Sequence, residues 1–98
     1  MATGPSPAAI MYFFTSPVCG PCKSVRPIVS ELTEDYPKLT WATVDTTADP
    51  GHIATTYKVT HVPTMVAVHN GVEVGRHSGT QLMGYFALAK RLSATLPK

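Results

Sequence analysis

The spacing of apolar residues changes along the chain, and each change marks an element. Residues 8–14 (Ala-Ala-Ile-Met-Tyr-Phe-Phe) form an unbroken apolar run bounded by Pro7 and by Thr15-Ser16-Pro17. A short run that is apolar on both faces suits a central strand covered on each side. The period then lengthens. Val25, Ile28, Val29, Leu32 and Tyr36 fall at i, i+3, i+4, i+7 and i+11, which is one face of a helix. Pro27 lies inside this helix and is expected to kink it, because it lacks an N–H and clashes with the preceding turn. Pro37 is expected to end it.

Residues 39–44 alternate as a second strand, with Leu39, Trp41 and Thr43 on one face. Asp49-Pro50 reads as an N-cap followed by proline at the first helical position, ahead of a short helix with Ile53, Ala54 and Tyr57 as its buried stripe. Residues 65–69 and 72–77 flank Asn70-Gly71, the strongest short hairpin signal. Thr80 can cap a last helix whose apolar face is Leu82, Tyr85, Phe86, Ala89 and Leu92. The order is therefore β-α-β-α-β-β-α. The strand–helix–strand unit calls for parallel pairing through a right-handed crossover. The hairpin adds antiparallel edges, so an α/β fold is expected, with a mixed sheet of about four strands and helices on both faces.

Composition narrows the function classes. Ninety-eight residues are expected to form one domain, 1–98, with residues 1–7 a flexible N-terminus. Apolar content of 44% and charged content of 14% describe a globular chain. A net charge of +2 is too weak to point to nucleic acid, and the adjacent pair Lys90-Arg91 reads as a solvated helix face. The opening residues carry no positive charge, so they do not read as a signal peptide, and no stretch approaches membrane-span length. A soluble, cytoplasmic protein is expected.

The chemistry centres on the chain's two cysteines, in Cys19-Gly20-Pro21-Cys22. They flank a Gly-Pro bend between the first strand and the first helix. A thiol at a helix start meets unsatisfied backbone N–H groups and the positive end of the dipole, which favour the thiolate, the form that attacks disulfides. The second cysteine lies about one turn along, close enough to close a ring with the first. Because Cys22 extends the buried helix face at i−3 from Val25, it should be the buried thiol and Cys19 the exposed one. Structural zinc needs four ligands, and no second Cys-x-x-Cys or close histidine pair supplies them. His52, His69 and His77 sit on different elements and read as surface residues. Trp41 and the run Tyr12-Phe13-Phe14 read as core. Lys23 and Arg26 could stabilise a Cys19 thiolate or could simply be solvated.

The element order with Cys19-Gly-Pro-Cys22 at the first strand–helix junction resembles thioredoxin. The likeness extends to Pro27, which matches the family's helix-kinking proline, and to Val62-Pro63-Thr64, which looks like its Ile/Val-Pro-Thr segment. Asn70-Gly71 and Gly79 also match in spacing. The resemblance covers most of residues 8–96 and implies a thioredoxin-like three-layer sandwich. It implies that Cys19 is the nucleophile, that Cys22 resolves the mixed disulfide, and that the two form a redox disulfide. Gly20 and Pro21 would shape the bend, and Pro21 would hold the potential on the reducing side. Val62 and Pro63, with a cis peptide bond between them, and Gly79 would line the substrate groove.

Three departures stand out. The family usually opens with an additional strand and helix, whereas only about seven residues precede the first matched strand here. The sheet edge left by that strand would be bare or covered by a partner. The family's buried aspartate, six residues before the first cysteine, is Phe13, and its matching lysine on the next strand is Thr43. The family's tryptophans near the first cysteine are Val18 and Thr15. With no carboxylate at position 13, burial favours the neutral Cys22 thiol, and His61, two residues before Pro63, becomes the candidate proton acceptor. Its alternative is an exposed loop histidine beside the groove.

The function that follows is a thiol–disulfide oxidoreductase acting on disulfide-containing proteins, regenerated by a reductase or other electron donor. No organic cofactor, metal, nucleic acid or membrane is expected, and the state is monomer or weak dimer. The alternative is a thioredoxin-fold binding module or subunit whose cysteines are secondary.

Overall fold

A computed structural model describes residues 8–96, so the N-terminal seven residues lie outside the described part. The elements are β1 (Ala9–Thr15), α1 (Cys22–Asp35), β2 (Thr40–Asp45), α2 (Ile53–Thr56), β3 (Thr64–His69), β4 (Val72–Ser78) and α3 (Leu82–Ser93). The sheet order is β2-β1-β3-β4. β1 runs parallel to β2 and antiparallel to β3, and β3 pairs antiparallel with β4. The mixed four-strand sheet expected from the sequence is present, and among the described residues β2 and β4 are its edges.

The alternation within β1 divides the core. Ala9, Met11 and Phe13 point to one face, where Val25, Val29 and Leu32 of α1 meet Tyr85, Leu88, Ala89 and Leu92 of α3. Phe14 points to the other, with Val44, Val66 and Val68, and is covered by Ile53, Ala54 and Tyr57 around α2. Each large apolar side chain so enclosed contributes roughly 1.5–3 kcal/mol relative to exposure. The α2 face has the thinner cover, because α2 is four residues long and leaves Ile10 and Tyr12 half-buried.

Asn70 and Gly71 adopt φ of 51° and 82°, the left-handed pair that a two-residue hairpin turn requires. Further along the hairpin, Ala67 pairs with Gly75 and Val68 with Glu73, so Val74 is an extra residue. This bulge returns Glu73 and Arg76 to one face, where they form an ion pair at 2.6 Å. The same strand lies tight against α3, since a Cβ on Gly75 would fall 2.9 Å from Leu88 Cδ1.

Several expectations need correction. Asp49-Pro50 does not begin α2. A turn closed by the His52 N–H to the Asp49 carbonyl intervenes, and the Asp49 carboxylate caps from a distance, accepting the N–H groups of Ile53 and Ala54 at 3.0 and 2.8 Å. The N-cap of α3 is Gln81 rather than Thr80, without a side-chain capping bond. The buried face of α3 includes Leu88, while Leu82 and Phe86 are half-buried at its margin, because the close approach at Gly75 turns Leu88 inward. Trp41 and Tyr12 are half-buried rather than enclosed. Trp41 sits on an edge strand, and its indole N–H donates to the Tyr36 carbonyl at 3.1 Å. His77 is half-buried rather than on the surface: its ring packs edge-on to Tyr85, over the space left by Gly84.

Candidate active site

Strand β1 delivers the chain to the cysteines through a tight turn. The Thr15 carbonyl accepts the Thr46 N–H at 3.0 Å, which ties the end of β1 to the segment after β2. The Ser16 carbonyl accepts the Cys19 N–H at 3.1 Å, and the Ser16 hydroxyl accepts the Val18 N–H at 3.3 Å. At the start of α1 the Lys23 and Ser24 N–H groups donate to the Gly20 and Pro21 carbonyls at 3.1 and 3.2 Å, leaving the Cys22 N–H to reach the first sulfur. The Cys22 N–H donates to Cys19 Sγ at 3.1 Å, so the first sulfur occupies the anion-favouring position at the helix N-terminus.

Cys19 and Cys22 form a disulfide with Cα atoms 5.4 Å apart. Cys22 is fully enclosed. Cys19 is only 8% exposed, not the open thiol that the helix pattern suggested, because its sulfur is drawn against the first turn of α1. Val18 beside it is 88% exposed, and Gly20 and Pro21 also face solvent.

The second half of the site is the loop before β3. The Val62–Pro63 peptide bond is cis. Pro63 is buried, Val62 half-buried and His61 exposed. The loop is pinned by the end of the neighbouring strand β4. Gly79, at φ 97°, donates its N–H to the Pro63 carbonyl at 3.1 Å, and its own carbonyl accepts the Tyr85 hydroxyl. The Thr64 hydroxyl donates to the His61 carbonyl at 2.7 Å and pairs with the Ser78 hydroxyl at 2.8 Å. His61 Nδ1 pairs with the Thr60 hydroxyl at 2.8 Å, and the ring lines a shallow depression with Thr46, Val59, Thr60 and Val62.

Phe13 is 3% exposed and pairs in register with Thr43 on β2. An aromatic ring and a hydroxyl therefore stand where the resemblance expects an aspartate and a lysine. Among the described residues no group of three or more His, Cys, Asp or Glu side chains is placed to hold a metal ion, and no helix is long and apolar enough to cross a membrane.

Sequence reasoning singled out the cysteine pair and Pro63 as candidates but not the bonds that hold them in place. Tyr85 reads as an ordinary core position, and nothing in the spacing shows that its hydroxyl reaches Gly79. Arg26 follows the motif, yet its bonds to the Ser16 carbonyl at 3.1 Å and the Thr15 hydroxyl at 3.3 Å depend on the turn after β1.

Comparison with known proteins agrees with this arrangement. The family model described as Thioredoxin matches residues 5–90. A thioredoxin H-type from Fagopyrum esculentum is 38% identical over 72 residues, covering 74% of this chain and 61% of the relative. A bifunctional thioredoxin reductase/thioredoxin from Mycobacterium leprae is 34% identical over 89 residues, covering 90% of this chain and 19% of the relative. The chain thus spans less than two thirds of the length of either. The X-ray structure of Fasciola hepatica thioredoxin superposes with a TM-score of 0.80 at 31% identity, covering 88% of this chain and 82% of that one. The chain belongs to the thioredoxin family.

Proposed function

We propose that this protein is a thiol–disulfide oxidoreductase that reduces protein disulfides. The observation that carries this reading is the Cys22 N–H donating to Cys19 Sγ at the N-terminus of α1, because a backbone donor and the helix dipole together favour the thiolate there. In the reduced protein, Cys19 thiolate attacks one sulfur of the substrate disulfide and forms a mixed disulfide, and the substrate's other sulfur leaves as a thiolate. Cys22, after losing its proton, attacks Cys19 Sγ and expels the second substrate thiolate. Two electrons pass to the substrate, which takes up two protons to become a dithiol, and the protein is left as the Cys19–Cys22 disulfide. A donor of two electrons must restore it. The fusion named in the Mycobacterium leprae relative supports a thioredoxin reductase in that role.

Val62 and Pro63 serve as the groove to which an extended substrate segment adds like a strand, with Gly79 behind them. His61 enters as a groove residue and as the candidate acceptor for the Cys22 proton. A reducing compartment such as the cytoplasm suits the cycle. The β2 edge, unpaired among the described residues, favours a second reading, a binding module that engages a partner along that strand. A double Cys19→Ser, Cys22→Ser variant that retained partner binding would support it.

The test is dithiothreitol-driven reduction of insulin disulfides. Turnover well above the uncatalysed rate, abolished by Cys19→Ser, is expected. Turnover equal to the uncatalysed rate would overturn the reductase reading.

A further inference from the structure

Helix α1 carries its charges in the reverse of the order its dipole favours. Lys23 and Arg26 lie toward its start, and Glu31, Glu34 and Asp35 toward its end. No acidic residue occupies the first turn and no basic residue the last. Cations at a helix N-terminus and anions at its C-terminus both weaken the helix. Intrahelical pairing offers no compensation at the N-terminal end, since the residues three and four after Lys23 are Arg26 and Pro27, and those after Arg26 are Val29 and Ser30. The cost falls beside the reactive sulfur.

The carboxylates at the same end of the sheet are already engaged. Asp45 Oδ1 accepts the Thr47 N–H and hydroxyl at 2.8 and 2.6 Å, and both Asp49 oxygens cap α2. Arg26 is exposed but held. One terminal nitrogen, Nη2, donates to the Ser16 carbonyl and to the Thr15 hydroxyl, and that same Ser16 carbonyl accepts the Cys19 N–H. The guanidinium is thereby fixed to the turn that carries the nucleophile. It borders a depression of about 200 Å³ lined also by Phe13, Thr15, Val29, Ser30 and Thr43. An arginine has five N–H donors in a planar fork. Among the described residues the hydrogens on Nε and Nη1 have no partner and are left for a ligand, with the hydroxyl residues Thr15, Ser30 and Thr43 lining the same depression.

We propose that this depression receives a carboxylate side chain of the protein substrate, so that the reductase selects disulfides flanked by aspartate or glutamate. The inference rests on the reductase reading and names its substrate class. A fixed planar fork matches a carboxylate, and Lys23 adds attraction at longer range. The reversed charge order on α1 is then the stability cost of a cationic rim at Cys19.

The test uses the reduced 98-residue chain and a series of disulfide-cyclised peptides that are identical except for Glu, Gln or Lys at each position flanking the disulfide, with hydroxyethyl disulfide as an uncharged control. At low ionic strength the best-placed Glu peptide should react about fivefold faster than its Gln counterpart, and the Lys peptide more slowly than either. The preference should shrink as salt is raised. Arg26→Met should bring the Glu and Gln rates together, and Arg26→Glu should favour the Lys peptide. These ratios are taken within each variant, so they do not depend on how much general activity a substitution removes. Equal rates for all three peptides with the wild type would overturn the proposal while leaving the reductase intact. A Glu preference that survived Arg26→Met would also overturn it. Failure to reduce any peptide and hydroxyethyl disulfide alike would overturn the reductase reading beneath it.

Discussion

The hydroxyl of Tyr85 donates to the carbonyl of Gly79, and Gly79 in turn donates its N–H to the carbonyl of Pro63. A fully buried side chain on α3 thus reaches through the end of β4 to the loop proposed to bind substrate. Tyr85→Phe keeps the ring and deletes only the hydrogen bond. A loss of about 1 kcal/mol in unfolding free energy is expected. The reductase assay should show a rise of about two- to fivefold in KM for a protein disulfide, with a smaller change in kcat, since the affected contact positions the groove and not the sulfurs. Equal losses in kcat and kcat/KM would assign Tyr85 to the chemical step instead.

Burial also pushes the Tyr85 phenol up to about 12, against about 10 in an unfolded chain. Because the folded value is the higher one, the folded state holds this proton more tightly. The contribution to stability is complete below pH ~10 and is lost progressively as pH rises toward about 12. Denaturant unfolding measured at intervals from pH 9 to 12 should show the wild type losing stability more steeply than Tyr85→Phe across that window. Parallel curves would mean that other groups account for the alkaline loss.

The parts of this molecule that were legible in the sequence are those set by local pattern. The i, i+3, i+4 spacing from Val25 to Leu32 places α1, Asn70-Gly71 places the hairpin, and Cys19-Gly-Pro-Cys22 falls at the strand–helix junction where the pattern puts it. Asp49-Pro50 misled because the same two residues suit a helix start and a turn, and only the fold decides that the carboxylate reaches on to Ile53 and Ala54. Leu88 was missed because its burial depends on Gly75, thirteen residues earlier on another element, leaving room for α3. The supports of the site, Arg26 to Ser16 and Tyr85 to Gly79, join groups whose approach is fixed by turns. A periodicity argument does not see them.

His77 and Gly84 make a similar long-range pair, and it yields a sign-reversing test. A Cβ on Gly84 would fall 2.1–2.3 Å from atoms of the His77 ring. That ring packs edge-on to Tyr85 at 4.6 Å between centroids, and its Nε2 lies 2.8 Å from the Gln81 carbonyl. A carbonyl only accepts, so the ring must carry a proton on Nε2. Gly84→Ala would displace the ring, losing a hydrogen bond and an aromatic contact worth together about 1.5–2.5 kcal/mol, against a helix-propensity gain of about 1 kcal/mol. A net destabilisation of about 0.5–1.5 kcal/mol is expected in the wild type. In the His77→Ala background the clash is gone, and Gly84→Ala should stabilise by about 1 kcal/mol. The same sign in both backgrounds would show that the ring swings aside without loss.

The proton of Cys22 raises the last question about turnover. Cys22 is fully enclosed, and Phe13 and Thr43 offer no group that titrates where the family resemblance expects an aspartate and a lysine. Burial disfavours a charged thiolate, and in the proposed cycle resolution of the mixed disulfide needs that thiolate. If His61 takes that proton, the pH profile of the resolving step carries a limb that His61→Ala removes. The structure also gives the ring a competing partner, the Thr60 hydroxyl at 2.8 Å. Thr60→Val should then free the ring and alter the same limb, leaving the cysteines untouched. Single-turnover release of the second substrate thiol, followed from pH 5 to 9, checks both variants. A profile whose shape survives His61→Ala assigns the histidine to the groove alone and leaves the ionisation of Cys22 itself as the slow step.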